Sequence, residues 1–232
     1  MHPFIKTYTE VCKELLLPLG FKRKGRYFYR VVNDVYQNLA LQLYSDGSSY
    51  DVYFGIYPFC CGITEYIEKA YPRFPLQVFT ALPPYTSNQT ADDADHSVRK
   101  LGQLIAQYIV PVYERTIDTA TAFCEWNRFF QEAESRIDPR GRTPHCIEED
   151  QIWMAIKTGE YDYAIEGLLQ RIELDKKGYS TGNRQQFEEQ VKEWEEITER
   201  IRVRDMKYLD NLIRENEDFS RKNLGLLLLE TP

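Results

Sequence analysis

The chain has 232 residues, of which 43% are hydrophobic and 14% aromatic, so one large or two small domains can bury a sizeable core. Its net charge of −7 argues against broad nucleic-acid binding, which needs many phosphate-neutralising cations. The acidity is uneven: residues 1–92 carry 9 Lys/Arg against 8 Asp/Glu, whereas residues 93–232 carry 20 against 28.

The cysteines and the apolar runs indicate in which cellular compartment the protein is expected. The five cysteines are scattered without a C-x-x-C pair, so neither a disulfide framework nor a zinc knuckle is predicted. Charged residues interrupt the N-terminal apolar stretch, and no apolar run reaches the roughly 18 residues that a membrane span needs. We therefore expect a cytoplasmic protein without membrane association.

The chain begins with a predicted amphipathic helix that Pro18 and Gly20 end. Apolar residues recur along it at helical spacing: Phe4, Tyr8, Val11, Cys12, Leu15 and Leu16. Three strand-like runs follow at 26–32, 35–44 and 50–58, rich in β-branched and aromatic residues. Asn33-Asp34 and Asp46-Gly47 supply the turn residues between them, which predicts an antiparallel β-meander.

Alternation along these strands assigns the two faces of the sheet. Leu39, Leu41 and Leu43 on one strand share an apolar side with Val52, Phe54 and Ile56 on the next, and we expect the first helix to cover it. The opposite face carries Gln42, Tyr44, Tyr53 and Tyr57. These tyrosines either form a docking surface or pack within the same chain.

Residues 58–90 contain five prolines and predict irregular structure with one further edge strand. From Asp92 a helical pattern begins, and Pro111 is expected to kink or interrupt it before a second helix around Trp126. The stretch 137–146 has the composition of a linker. We therefore predict an α+β domain over residues 1–136 and a helical extension over residues 145–232.

The predicted extension opens with a segment that resembles one hairpin of a tetratricopeptide repeat, over 147–177. Gly159, Tyr161, Ala164 and Leu168 lie at the small-aromatic-small-large spacing that lets two helices pack closely. A long helix is predicted after Asn183, with near-heptad apolar positions at Phe187, Val191, Trp194, Ile201, Tyr208 and Leu212. It either packs on the hairpin or forms a homodimer through that stripe.

The N-terminal order of elements resembles a bacterial family designated domain of unknown function 4304, over roughly residues 1–135. The matching positions are Gly20, Phe21, Lys22, Lys24, Gly25, Phe28, Gln37, Asn38, Gln42, Gly55 and Ile56. The run V-P-V-Y-E at 110–114 is similar to the closing helix of that domain. The resemblance implies a bacterial source but no particular activity. Some small bacterial domains of this general kind neutralise toxins, and this analogy suggests an immunity-like role.

Five cations concentrate in the aromatic-rich stretch at 20–30: Lys22, Arg23, Lys24, Arg26 and Arg30. One interpretation is a solvated turn after a helix, where cations offset the helix dipole. The other is a docking surface for an anionic partner. The candidate partner-binding residues are these five cations together with Tyr44, Tyr53 and Tyr57.

Candidates for chemistry are few. Asp92, Asp93 and His96 fit a helix N-terminus better than a metal site, and Cys60-Cys61 and His145-Cys146 are expected to be structural because neighbours on a strand point apart. No glycine-rich phosphate loop occurs. We therefore expect no cofactor, no metal and no catalytic residue.

These observations favour a non-enzymatic protein-binding module, immunity-like or regulatory. Its contact surface would be the tyrosine and cation set or the concave side of the acidic helices, and its partner a protein. The alternative is an enzyme on a small anionic or phosphorylated substrate, with the same cations for binding and Asp92, Asp93 or His96 for chemistry.

Overall fold

The computed structural model describes residues 3–43, 49–63, 74–75, 85–86, 91–137, 147–177 and 184–225. The chain has an α+β fold, with an antiparallel sheet near its N-terminus and helices in its C-terminal half. It divides into two compact units. The sheet unit comprises residues 1–58, 63–122 and 223–225; the helical unit comprises residues 59–62, 123–222 and 226–232.

The sheet unit is built on an antiparallel meander. After helix α1 (Pro3–Leu16) and a 3-10 turn (Leu17–Leu19), the strands are β1 (Lys22–Lys24), β2 (Tyr27–Val32), β3 (Val35–Leu43) and β4 (Ser49–Pro58), and the short strands β5 (Phe74–Pro75) and β6 (Tyr85–Thr86) pair with β4. The three long strands confirm the predicted meander. Asn33 takes a left-handed φ of 49° in the β2–β3 turn, as the Asn-Asp pair predicted, whereas Asp46-Gly47 lies outside the described residues.

The apolar side of the sheet is the core of this unit. Leu39 pairs with Phe54 and Leu41 with Val52, and all four side chains are buried, as alternation predicted. In α1, Tyr8, Cys12 and Leu16 are fully buried, and the Tyr8 ring meets the Phe28 ring of β2 edge-on at 6.3 Å. Burial of this helical stripe is the main force that holds the helix, since an isolated helix of this length is marginal in water.

The predicted interruption at Pro111 is present. Helix α2 (Ala91–Leu104) widens into a π-helical segment (Ile105–Ile109) before α3 (Val110–Arg115), so Pro111 stands in the first turn of α3. A proline fits there because its missing N–H group would have no intrahelical partner. Helix α4 (Thr119–Ile137) follows and confirms the predicted second helix.

The helical unit contains α5 (Glu149–Thr158), α6 (Tyr161–Lys176), α7 (Arg184–Arg202) and α8 (Met206–Asn223). Gly159 ends α5 with a left-handed φ of 82° and so permits the tight α5–α6 hairpin. Gly167 lets the two helices approach closely, because a Cβ atom there would lie 2.7 Å from Ile152 Cγ1. Ala164 and Leu168, two residues of the predicted spacing, are fully buried as well.

The prediction of a single long helix after Asn183 is wrong, because residues 203–205 are not helical and separate α7 from α8. Arg204 has a left-handed φ of 56°, and the Asp205 carboxylate accepts a hydrogen bond from the Tyr208 N–H group at 3.2 Å, which starts α8. Trp194 is buried and its ring lies 6.0 Å from that of Trp153 in α5. The proposed dimer stripe is thus covered, at Val191, Trp194 and Ile201, by the same chain.

Residues 138–146 of the predicted linker at 137–146 lie outside the described part of the chain. The two compact units divide earlier, between Ala122 and Phe123 within α4, and the 3-10 turn at Phe59–Cys61 belongs to the helical unit.

Candidate functional site

Three of the five clustered cations lie on the edge strand of the sheet. Lys22, Arg23 and Lys24 form β1 and are exposed, and Arg23 Nε donates a hydrogen bond to the Gly25 carbonyl at 2.8 Å. The sequence predicted a turn for this segment, and the structure makes it a strand closed by a two-residue turn at Gly25 and Arg26. Charged residues on an edge strand also discourage pairing with other chains, so their exposure alone does not define a binding site.

Arg30 is half-buried, and its guanidinium is engaged by groups of the sheet unit. Its guanidinium donates hydrogen bonds to Gln37 Oε1 at 2.7 Å, to the Leu19 carbonyl at 2.5 Å and to the Tyr113 carbonyl at 2.8 Å. It also stacks over the Phe21 ring, 4.9 Å from the centroid. Each of the three guanidinium nitrogens donates one hydrogen bond within the unit, so Arg30 ties β2 to the turn after α1 and to α3.

One residue of the predicted tyrosine face, Tyr57, is covered as well. Tyr57 is 2% exposed and its ring packs against that of the buried Tyr36, with 5.8 Å between centroids. Tyr53 is half-buried, and Tyr44 lies outside the described residues. The Tyr57 ring lies directly over Gly55, where a Cβ atom would be 2.1 Å from a ring carbon. Tyr57 is therefore a packing residue and not part of an exposed docking surface.

The helical unit contains an open groove of about 380 Å³ between the α5–α6 hairpin and α8. Five largely apolar side chains line it: Ile156, Tyr161, Met206, Leu209 and Ile213. Ile156 and Leu209 are buried and form its floor, while Met206 is 43% exposed at the start of α8. An exposed thioether beside a phenol ring gives the groove an adaptable apolar surface.

Charged groups of both signs border this groove. Lys157 of α5 forms an ion pair with Glu217 of α8, and Asp210 and Arg214 stand one helical turn apart on α8. The Tyr161 hydroxyl donates to Met206 Sδ at 3.4 Å, and Arg204 stacks 4.3 Å above the Tyr161 ring. These contacts fix the helix break beside the groove, so the groove is part of the folded unit.

The vicinal cysteines lie closer together than expected. Cys60 and Cys61 occupy a 3-10 turn, not a strand, and their Sγ atoms are 4.0 Å apart. Burial raises the pKa of the Cys61 thiol, and the carboxylates of Asp150 and Glu149 raise it further. A thiol held protonated in this way is a poor nucleophile, which agrees with a structural role.

The remaining candidates lie mostly outside the described part of the chain. Asp92, Asp93 and His96 belong to the first turns of α2, but nothing is described of their side chains, and His145-Cys146 is not described. Among the described residues, no three His, Cys, Asp or Glu side chains are grouped to hold a metal ion. Within the same ranges, no helix is long and apolar enough to cross a membrane.

Comparison with known proteins gives no match: no family model, curated protein or solved structure is significantly similar to the chain.

Sequence reasoning missed the groove because it joined α7 and α8 into one helix. The near-heptad pattern of a single helix predicted Tyr208 and Leu212 as its apolar positions. The residues that line the groove are instead Met206, Leu209 and Ile213. The available signal was Asp205 as a helix N-cap followed by apolar residues at i+1, i+4 and i+8.

Proposed function

We propose that the chain is a non-enzymatic protein-binding module that holds a short segment of a partner protein in the α5–α6–α8 groove. The observation that carries this proposal is the groove itself, with its exposed Met206 above a buried floor of Ile156 and Leu209. Its volume lies in the range of sites that accept a few side chains, and methionine suits surfaces that adapt to a bound segment.

The charges around the groove indicate the chemistry of the partner. Lys157 and Glu217 neutralise each other, while Asp210 and Arg214 can orient polar groups of a bound segment. Residues 93–232 nevertheless carry 20 Lys/Arg against 28 Asp/Glu, which favours encounter with a basic partner. We therefore expect an apolar anchor flanked by Lys or Arg. The analogy with toxin-neutralising and regulatory domains is compatible with such a partner.

The test is a selection of random displayed peptides on the whole chain, with and without a charge placed in the groove. Ile213→Glu introduces a carboxylate at a half-buried groove position. The matched control is Leu169→Glu, which introduces the same charge at an exposed apolar position of α6 that does not line the groove. Circular dichroism checks that both variants fold.

We expect peptides with an apolar residue beside basic residues to bind the wild type. Ile213→Glu should weaken their binding about tenfold or more, because a bound apolar side chain would cover the carboxylate and remove it from water, while Leu169→Glu leaves binding unchanged. Equal affinity for the two variants would place the binding surface elsewhere and refute the groove as the site.

A further inference from the structure

Met206 is the exposed methionine of the groove. It is 43% exposed at the start of α8, whereas Met154 of α5 is fully buried and Met1 lies outside the described residues. Oxidation of a methionine requires that the oxidant reach its sulfur atom, so the rate of oxidation follows exposure. A small oxidant in solution can therefore reach Met206, and packing keeps it from Met154.

The contacts of Met206 hold this side chain at the groove. Its backbone N–H group donates a hydrogen bond to the Arg204 carbonyl at 2.8 Å, which fixes the residue at the helix break. Its sulfur accepts a hydrogen bond from the Tyr161 hydroxyl at 3.4 Å, and the Arg204 guanidinium stacks 4.3 Å from the centre of the same ring. A thioether sulfur has two lone pairs, and this hydrogen bond uses only one of them.

Oxidation of this thioether needs only a peroxide as co-reactant. The sulfur attacks one oxygen of hydrogen peroxide, so an S–O bond forms and the O–O bond breaks. The departing hydroxide takes up the proton of the transferred oxygen and leaves as water. The sulfur loses two electrons and the peroxide gains them. The product is a methionine sulfoxide, which methionine sulfoxide reductases convert back to the thioether.

The sulfoxide would make the groove polar at this point. It accepts hydrogen bonds strongly, whereas the thioether that it replaces is largely apolar. The Tyr161 hydroxyl that donates to the sulfur can donate to the new oxygen, which keeps the polar group beside the floor of Ile156 and Leu209. An apolar side chain that binds there must remove the sulfoxide from water, which is unfavourable.

We propose that Met206 is an oxidation site that regulates the groove. A peroxide converts its thioether to a sulfoxide, and the oxidised groove binds apolar groups weakly until the sulfoxide is reduced. The loss of partner binding rests on the proposed function, whereas the oxidation of Met206 and the change in polarity of the groove do not.

The first experiment measures the modification itself. The folded full chain is treated with dilute hydrogen peroxide at pH 7 and then with dithiothreitol, which reverses disulfides and sulfenic acids of cysteines and leaves the sulfoxide in place. Peptide mapping by mass spectrometry follows the addition of one oxygen atom to each methionine. We expect Met206 to be oxidised at least about tenfold faster than Met154. Similar rates at the two residues of the folded chain would refute the selective site.

The second experiment measures the groove before and after this treatment with two probes. One is a peptide from the selection described above, and the other is anilinonaphthalene sulfonate, a dye that fluoresces on apolar protein surfaces. Met206→Leu is the control variant, because it keeps an apolar side chain of similar size and all five cysteines but cannot form a sulfoxide.

After oxidation, the wild type should bind the peptide about tenfold or more weakly and give less dye fluorescence. Methionine sulfoxide reductase should restore both quantities. In Met206→Leu, the treatment should change neither quantity from the value of the untreated variant.

The results separate this proposal from the proposed function. If no peptide binds the untreated chain, the proposed function fails, and the dye alone decides whether oxidation changes the groove. If Met206 is oxidised while dye fluorescence and peptide affinity stay the same, or if both fall equally in Met206→Leu, the regulation is overturned and the proposed function is unaffected.

Discussion

Arg30 donates a hydrogen bond from Nη2 to the Tyr113 carbonyl at 2.8 Å, and so joins β2 to α3 across 83 positions of sequence. Gln37 reinforces the same junction, because its Nε2 donates to the Tyr113 carbonyl at 3.0 Å and to the Thr116 carbonyl at 2.7 Å. A cation that the sequence offered as a binding residue is therefore a structural clamp of the sheet unit.

This clamp predicts a large loss of stability in Arg30→Met. The variant keeps much of the side-chain volume but leaves the Gln37 and Leu19 oxygens without their donor. We expect the free energy of unfolding to fall by about 2–4 kcal/mol, measured by urea denaturation with far-UV circular dichroism. Lys22→Met, at the exposed edge, is the control and should change it by less than about 0.5 kcal/mol. Similar losses in the two variants would contradict the clamp.

At Gly167 we expect the usual preference for alanine over glycine in a helix to be reversed. Alanine normally stabilises a helix interior by about 1 kcal/mol relative to glycine. A Cβ atom at this position would lie 2.7 Å from Ile152 Cγ1 and 2.9 Å from Ile147 Cγ2, so Gly167→Ala should instead destabilise the α5–α6 hairpin by about 1–3 kcal/mol. Tryptophan fluorescence during urea unfolding measures this change in the free energy of unfolding, since Trp126, Trp153 and Trp194 all belong to the helical unit. Leu169→Ala, at an exposed position of the same helix, should be nearly neutral; a stabilised Gly167→Ala variant would refute the close contact.

Asp150 predicts a pH dependence of the helical unit. The pKa of its carboxyl is raised to about 7, mainly by burial and also by the neighbouring charges of Glu149 and Glu148, while Arg171 acts in the opposite direction. In the unfolded chain the pKa of an aspartate carboxyl is about 3.9. Between roughly pH 4 and 7 the folded state therefore holds a proton that the unfolded state has released. Stability should therefore fall as the pH rises through this window and level off above it.

The measurement is urea unfolding, followed by tryptophan fluorescence, at pH 5 and pH 8. We expect the wild type to lose on the order of 1–3 kcal/mol between the two, and Asp150→Asn to lose clearly less, because an amide has no proton to release. An identical fall in both proteins would assign the pH dependence to another group.

The fold of the sheet unit could be predicted because local rules and burial agree there. Alternation assigned Leu39, Leu41, Val52 and Phe54 to one face, and the turn residue Asn33 fixed the β2–β3 hairpin. The edge strand β1 was missed because three consecutive cations carry no alternation, and only pairing with β2 reveals it.

The candidate sites were harder to predict, because they depend on where helices end and on which side chains are covered. Arg30 and Tyr57 are residue types that are common in binding sites, yet long-range contacts engage the Arg30 guanidinium and bury Tyr57. The groove exists because Arg204 breaks the last long helical pattern in a left-handed conformation, which few non-glycine residues adopt. The apolar spacing of the sequence gives no sign of this break, and so it predicted a helix that runs through Arg204.

The binding groove is tested most directly by methyl NMR of the chain labelled at its three methionines. Met206 lines the groove and is exposed, whereas Met154 is fully buried in α5 and serves as the internal reference. On titration with a selected peptide, the Met206 methyl signal should shift and saturate at the affinity measured for binding, and the Met154 signal should move little. Saturable peptide binding that leaves the Met206 signal unchanged would contradict the groove as the binding site.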